Sequence, residues 1–155
     1  LSCYNPTLNR LTKLLTKKIK KMGRVFFNTR KNVHALTAAY TVLDSDSGKV
    51  FTLDSAGGAY EITLPTAPEE GFHCKFIVKE DTPTADITIA AGSAILDGVN
   101  DDGQGNVANS TAGTAVSNII VEAASKQGDF IDLMSDGVTY YFHAVGSVDQ
   151  AFTTS

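Results

Sequence analysis

From residue 37 onward the chain is punctuated by Gly, Asp, Ser and Pro clusters about every ten residues, with short β-rich runs between them. No run is long enough for a helical core, and that rhythm is the signature of an all-β sandwich or barrel. Strands are expected near 38–43, 49–54, 59–64, 73–79, 85–90, 117–123, 128–134 and 138–145. Within them the apolar residues recur at every second position. Phe51 and Leu53 should face the core, with Val50, Thr52 and Asp54 on the other face. Tyr60, Ile62 and Leu64 alternate with Glu61 and Thr63 in the same way. Phe76 and Val78 alternate with Lys75, Ile77 and Lys79, Ile87 and Ile89 with Asp86 and Thr88, and Ile119 and Val121 with Asn118, Ile120 and Glu122.

The turns are read from chemistry. Ser45-Asp46-Ser47-Gly48 and Ala56-Gly57-Gly58 each read as a hairpin link, with Gly supplying a positive φ. The loop from Pro65 to Gly71 holds two prolines and excludes a central strand. Ser135-Asp136-Gly137 should join the last two strands as a tight hairpin. Residues 97–115 are the loosest stretch of the body and read as a long surface loop.

Charge divides the chain. Nine of its 13 Lys and Arg residues lie in residues 1–31, and the first acidic residue is Asp44. That segment carries +9; the remainder holds 4 basic and 17 acidic residues, or −13. The split separates a basic N-terminal arm, 1–36, extended or partly helical, from a β-sandwich body, 37–155. Leu8, Leu11, Leu15 and Ile19 recur at helical spacing, and Val25-Phe26-Phe27 forms an apolar cluster among basic residues. Such an arm has its own partner. The candidate contact residues are Lys17, Lys18, Lys20, Lys21, Arg24, Val25, Phe26, Phe27, Arg30 and Lys31. Fully extended, the arm reaches at most on the order of 100 Å. The chain starts at Leu1 and its first methionine is Met22. Residues 1–21 therefore read as a native arm, a product of processing or a reading-frame extension.

The motifs of catalysis and metal binding do not assemble. Asp97–Asn106 invites a calcium reading, but ending the EF-hand pattern at Asp102-Gly103 puts Gly98 where its first Asp belongs. His73 and Cys74 are adjacent, so on a strand they face opposite ways. Asp44–Lys49 lacks the first Gly of a phosphate loop, and Val50 stands in the hydroxyl position. No serine lies in a G-x-S-x-G elbow. The expectation is a protein that is not an enzyme and needs no cofactor or metal. No apolar run reaches the ~20 residues of a membrane-spanning helix. An acidic body counts against nucleic acid as the arm's partner.

Three stretches together carry a resemblance: Ala39–Asp54 with Ala56-Gly57-Gly58 and Ile62–Pro65; Gly71 with Phe76-Ile77-Val78; and Gly128–Leu133 with Ser135-Asp136-Gly137 and Tyr140-Tyr141. Their order resembles that of small β-rich structural proteins of tailed bacteriophages, which decorate capsids or form parts of fibres. The resemblance covers about residues 37–146. It implies a β-sandwich or jelly-roll-like subunit, commonly trimeric, with no catalytic residues to carry over. The expected role is a capsid decoration or cement protein on the virion exterior, partnered by the major capsid protein and by copies of itself. The alternative is a tail-fibre or receptor-binding module, with the loop from Asp97 contacting host glycan.

Overall fold

Twelve strands among the described residues form two mixed sheets, and two of the three strand pairs read from the turns do not form. The computed structural model describes residues 31–81, 83–93, 95–101, 107–109 and 115–155. Residues 31–155 form one compact unit. The strands are β1 (Val33–Leu36), β2 (Tyr40–Thr41), β3 (Val50–Leu53), β4 (Tyr60–Thr63), β5 (Glu70–Val78) and β6 (Ile87–Ala90). They continue with β7 (Leu96–Asp101), β8 (Val107–Asn109), β9 (Asn118–Val121), β10 (Phe130–Asp136), β11 (Tyr140–Val145) and β12 (Phe152–Thr154). The large sheet runs β1-β3-β5-β10-β11-β7-β8, and the small sheet runs β12-β9-β6-β4-β2. The expected all-β, sandwich-like fold is the fold observed.

The first six strands alternate between the sheets. β1, β3 and β5 lie parallel in the large sheet, while β2, β4 and β6 lie parallel in the small one. Each crossover between parallel neighbours thus travels through the opposite sheet, where a βαβ unit would use a helix. This winding corrects two expectations. Ser45–Gly48 and Ala56–Gly58 are not hairpins; they are corners that carry the chain from one sheet to the other. At the first corner a 3-10 turn, Asp44–Asp46, precedes Gly48 at φ +83°. In the second half of the chain the pairing is mostly antiparallel, with β7 and β11 the parallel exception. β10 pairs antiparallel with both β5 and β11, and the Asp136-Gly137 hairpin forms as expected.

The alternation read from the sequence holds. Phe51, Leu53, Ile62, Leu64, Phe76, Val78, Ile87, Ile89, Ile119 and Val121 all belong to one buried cluster between the sheets. Phe51 and Phe76 stack at its centre, centroids 5.2 Å apart. Tyr140 is fully buried, and its hydroxyl donates to the Pro65 carbonyl at 2.8 Å, so the one polar atom of that side chain is satisfied.

The stretch read as a loose loop is also corrected in part. Leu96–Asp101 is a strand lying parallel to β11 and antiparallel to β8. Gly98 is required there: a Cβ would stand 2.0 Å from the Phe142 carbonyl oxygen. Asn100 turns its amide across the sandwich and donates to the Phe152 carbonyl at 2.6 Å. Of the residues in the calcium reading, Asn100 is turned to the interior, while Asp102, Gly103 and Asn106 lie outside the described residues. β1 begins at Val33, within the segment assigned to the arm, and β12 adds an edge strand that the sequence did not announce. No helix among the described residues is long and apolar enough to cross a membrane.

Candidate functional site

The site is best built from the positions that the core does not use. In the large sheet every second residue points away from the small sheet. Register places them in rows. One row runs Val33, Val50, Lys75, Asp132, His143 and Val99, and a second holds His73, Met134, Tyr141 and Asp97. A third carries Ala35, Thr52, Ile77, Phe130, Val145 and Asp101. Water-facing sheets normally fill such rows with polar side chains. Here Val33 and Met134 are exposed at 60% and 58%, and Tyr141 at 45%.

A groove of about 400 Å³ lies on this outer face, within the size range of ligand pockets. It crosses β5, β10 and β11, a width of about 10 Å at the usual strand spacing of about 4.8 Å, and is edged by Gly48 and Lys49 just before β3. Lys31, Lys49, His73, Lys75, Met134, Tyr141 and His143 line it, with Asp132 as its one carboxylate. Gly48 edges the groove beside His73, where an added Cβ would lie in ordinary contact, 3.7 Å from the imidazole Nε2, and its φ of +83° is what calls for glycine.

Each charged group on the floor is held in place. Lys75 pairs with Asp132 at 3.1 Å and lies 3.5 Å over the Phe130 ring. Lys49 pairs with Asp46, which is buried at the sheet corner. Asp46 also accepts the Tyr40 hydroxyl and the Leu43 N–H, both at 3.0 Å. Burial works to raise the Asp46 carboxyl, but its bonds from Lys49, Leu43 and Tyr40 hold it below the ordinary carboxylate range. The same contact raises the Lys49 ammonium. Tyr141 donates to Asp136 at 3.1 Å, and that bond raises the phenol. Asp136 is itself lowered by the Thr139 and Val138 N–H groups. Cys74, directly beneath, faces the core at 4% exposure, and burial pushes its thiol far up. His73 and Cys74 thus point to opposite faces, as their adjacency requires.

A second polar cluster sits at the β3–β4 corner. Asp54 and Glu80 both accept the Ala56 N–H, at 3.1 and 2.7 Å. Glu80 also accepts the Ser55 hydroxyl, which in turn accepts the Thr84 N–H. A hydrogen bond from Glu80, followed by Lys79, lowers Asp54 to about 2. These groups tie two loops to the corner. No group of three or more His, Cys, Asp or Glu residues suited to a metal ion exists among the described residues.

No protein-family profile matches the chain, and no curated protein matches its sequence. The site therefore rests on its own geometry.

Of the arm residues singled out in the sequence, Lys17, Lys18, Lys20, Lys21, Arg24, Val25, Phe26, Phe27 and Arg30 lie outside the described residues. Lys31 is described, exposed, and lines the groove. The sequence reading missed Met134, Tyr141, Lys75, His73 and His143 as site residues. One signal was present: Met134 and Tyr141 are large apolar residues at the outward positions of well-patterned strands.

Proposed function

We propose that this chain is a structural binding component of a virus particle, a capsid decoration or cement protein on the virion exterior, and not an enzyme. The observation that carries the reading is the outer face of the large sheet, whose centre is apolar and basic where a solvated sheet would be polar. Exposed apolar patches of this kind mark interaction surfaces. The ion pairs on the floor fix the side chains in position, which suits a surface that docks and stays docked. A two-sheet body packed around one core supplies rigidity. The strand-and-turn resemblance to phage structural proteins points to the same role. The reading includes the major capsid protein as partner and a symmetric self-assembly, a trimer, whose repeated weak contacts would sum to strong avidity on a lattice. The basic arm adds reach toward an acidic capsid surface.

The test is sedimentation of the purified chain with assembled, undecorated capsids of the virus that encodes it. Binding at a fixed ratio to capsid subunits is expected. Replacing Lys17, Lys18, Lys20 and Lys21 by Ser should weaken that binding on the order of tenfold or more. Electron microscopy of the particles should then show density across the lattice. Density confined to a tail tip would replace this role with a fibre or receptor-binding one, and absence from the particle would end both.

A further inference from the structure

We infer that the groove on the outer face of the large sheet docks an acidic segment of a partner protein, one that lays an apolar side chain on Met134 and carboxylates against Lys31, Lys49 and Lys75. The inference rests on the particle reading and names the chemistry of the partner.

Charge complementarity selects the occupant. Residues 31–155 hold five lysines, no arginine and 17 acidic residues. Three of those lysines, 31, 49 and 75, gather around this groove, together with His73 and His143. Lys79 and Lys126 stand elsewhere. With Asp46 and Asp132 counted against Lys49 and Lys75, Lys31 remains as the groove's net positive charge, on a body that is otherwise strongly negative. A basic occupant, or the acidic exterior of this body's own second copy seated without an acidic strip in register, matches the groove less well than a short acidic segment.

The floor then separates a peptide from smaller anions. An inorganic anion would satisfy the lysines and leave Met134 and Tyr141 wet. Methionine is unbranched and polarisable, and it adapts to varied apolar partners. Tyr141 is held by its hydroxyl bond to Asp136, and with Met134 beside it in register it makes the apolar part of the floor. A chain with alternating carboxylate and apolar side chains meets both features at once.

The probe is a fluorescein-labelled eight-residue peptide alternating Asp and Leu, titrated into the full chain by anisotropy, with a Lys-for-Asp counterpart as control. The acidic peptide should bind, the basic one should not, and rising salt should weaken the complex. Met134→Asp and Lys31→Glu, both at exposed positions, should each weaken binding on the order of tenfold while leaving the urea midpoint unchanged. Val138→Asp, at the exposed hairpin tip outside the groove, should change nothing. Equal binding of both peptides, or binding indifferent to Met134→Asp and Lys31→Glu, overturns the inference. So does an oligogalacturonate that binds and responds to these variants when the peptide does not bind, which would make the groove a carbohydrate site. Capsid sedimentation separates the two levels. If the chain binds capsids and not the acidic peptide, this inference falls alone. If it binds the peptide and not capsids, the particle reading falls and the groove keeps its ligand class.

Discussion

The two outer faces of the sandwich are built from the same alternation and end up with opposite chemistry. On the small sheet the outward row runs Glu61, Thr88, Ile120 and Thr153, beside Thr41 and Thr63. Its hydroxyls are engaged locally: Thr63 donates to Glu61, and Thr153 to Glu122. Threonine suits a half-buried pleated surface and keeps a polar atom toward water. On the large sheet the equivalent rows carry Val33, Val50, Ile77, Phe130, Met134 and Tyr141, with Lys75, His73, His143 and the carboxylates Asp97, Asp101 and Asp132 between them. Both faces flank one core, so the core does not dictate the difference. The small sheet's outward row is mostly hydroxyl and carboxylate; the large sheet's is richer in large apolar side chains.

Breaking what the faces share should have the largest effect. Phe76 is fully buried and stacked on Phe51, so Phe76→Ala should cost about 3–5 kcal/mol, read as a fall in the urea midpoint. Both faces should be lost together. The corner beneath the groove comes next. Asp46→Ala leaves the Leu43 N–H and Tyr40 hydroxyl without their acceptor and should cost about 2–3 kcal/mol.

Acid probes the same corner. Asp46 sits below the ordinary carboxylate pKa of about 3.9 in the folded state, and Asp54 is lowered to about 2. Both stabilise the fold above the unfolded value, and that stability is lost as pH falls through the folded values. Urea midpoints should therefore drop between about pH 5 and pH 2, and the drop should be shallower in Asp46→Asn.

The comparison itself is sharpened by matched charges. Met134→Asp and Thr88→Asp place the same carboxylate on opposite faces. Each should move stability by no more than about 0.5 kcal/mol, as surface substitutions do. Only Met134→Asp should reduce capsid binding; equal losses would erase the distinction between the faces. The smallest effect concerns reactivity. Cys74 is buried, with its thiol pushed up, so site-resolved mass spectrometry should find it unalkylated at mildly alkaline pH until the chain is unfolded.

The core was legible because alternation is a local signal. Phe51 with Leu53, and Ile119 with Val121, declare their inward face within three residues. The winding was not legible. A glycine at positive φ serves a hairpin and a sheet-to-sheet corner equally, and Gly48 does not reveal that Val50 will pair with Val33 and not with Thr41. β7 escaped because its inward positions after Leu96 are Gly98 and Asn100, set by close approach to β11 and by a bond to Phe152, with no apolar pattern to see. The groove was hidden for a related reason. Lys49 and His73 become neighbours of Asp132 and Tyr141 only after β5 is laid beside the β10–β11 hairpin about sixty residues further along, and spacing along the sequence holds no record of it.

The strand order also sets a timetable. β10 is the middle strand of the large sheet, flanked by β5 and β11, yet it is the tenth made as the chain leaves the ribosome N-terminus first. Until residue 136 emerges, β5 has no partner on that side, and until residue 145 emerges the floor of the groove does not exist. Such long-range pairing is slow to close. A nascent or truncated chain that stops short of β11 therefore lacks the groove altogether, because Tyr141 and His143 are among its last residues to be made.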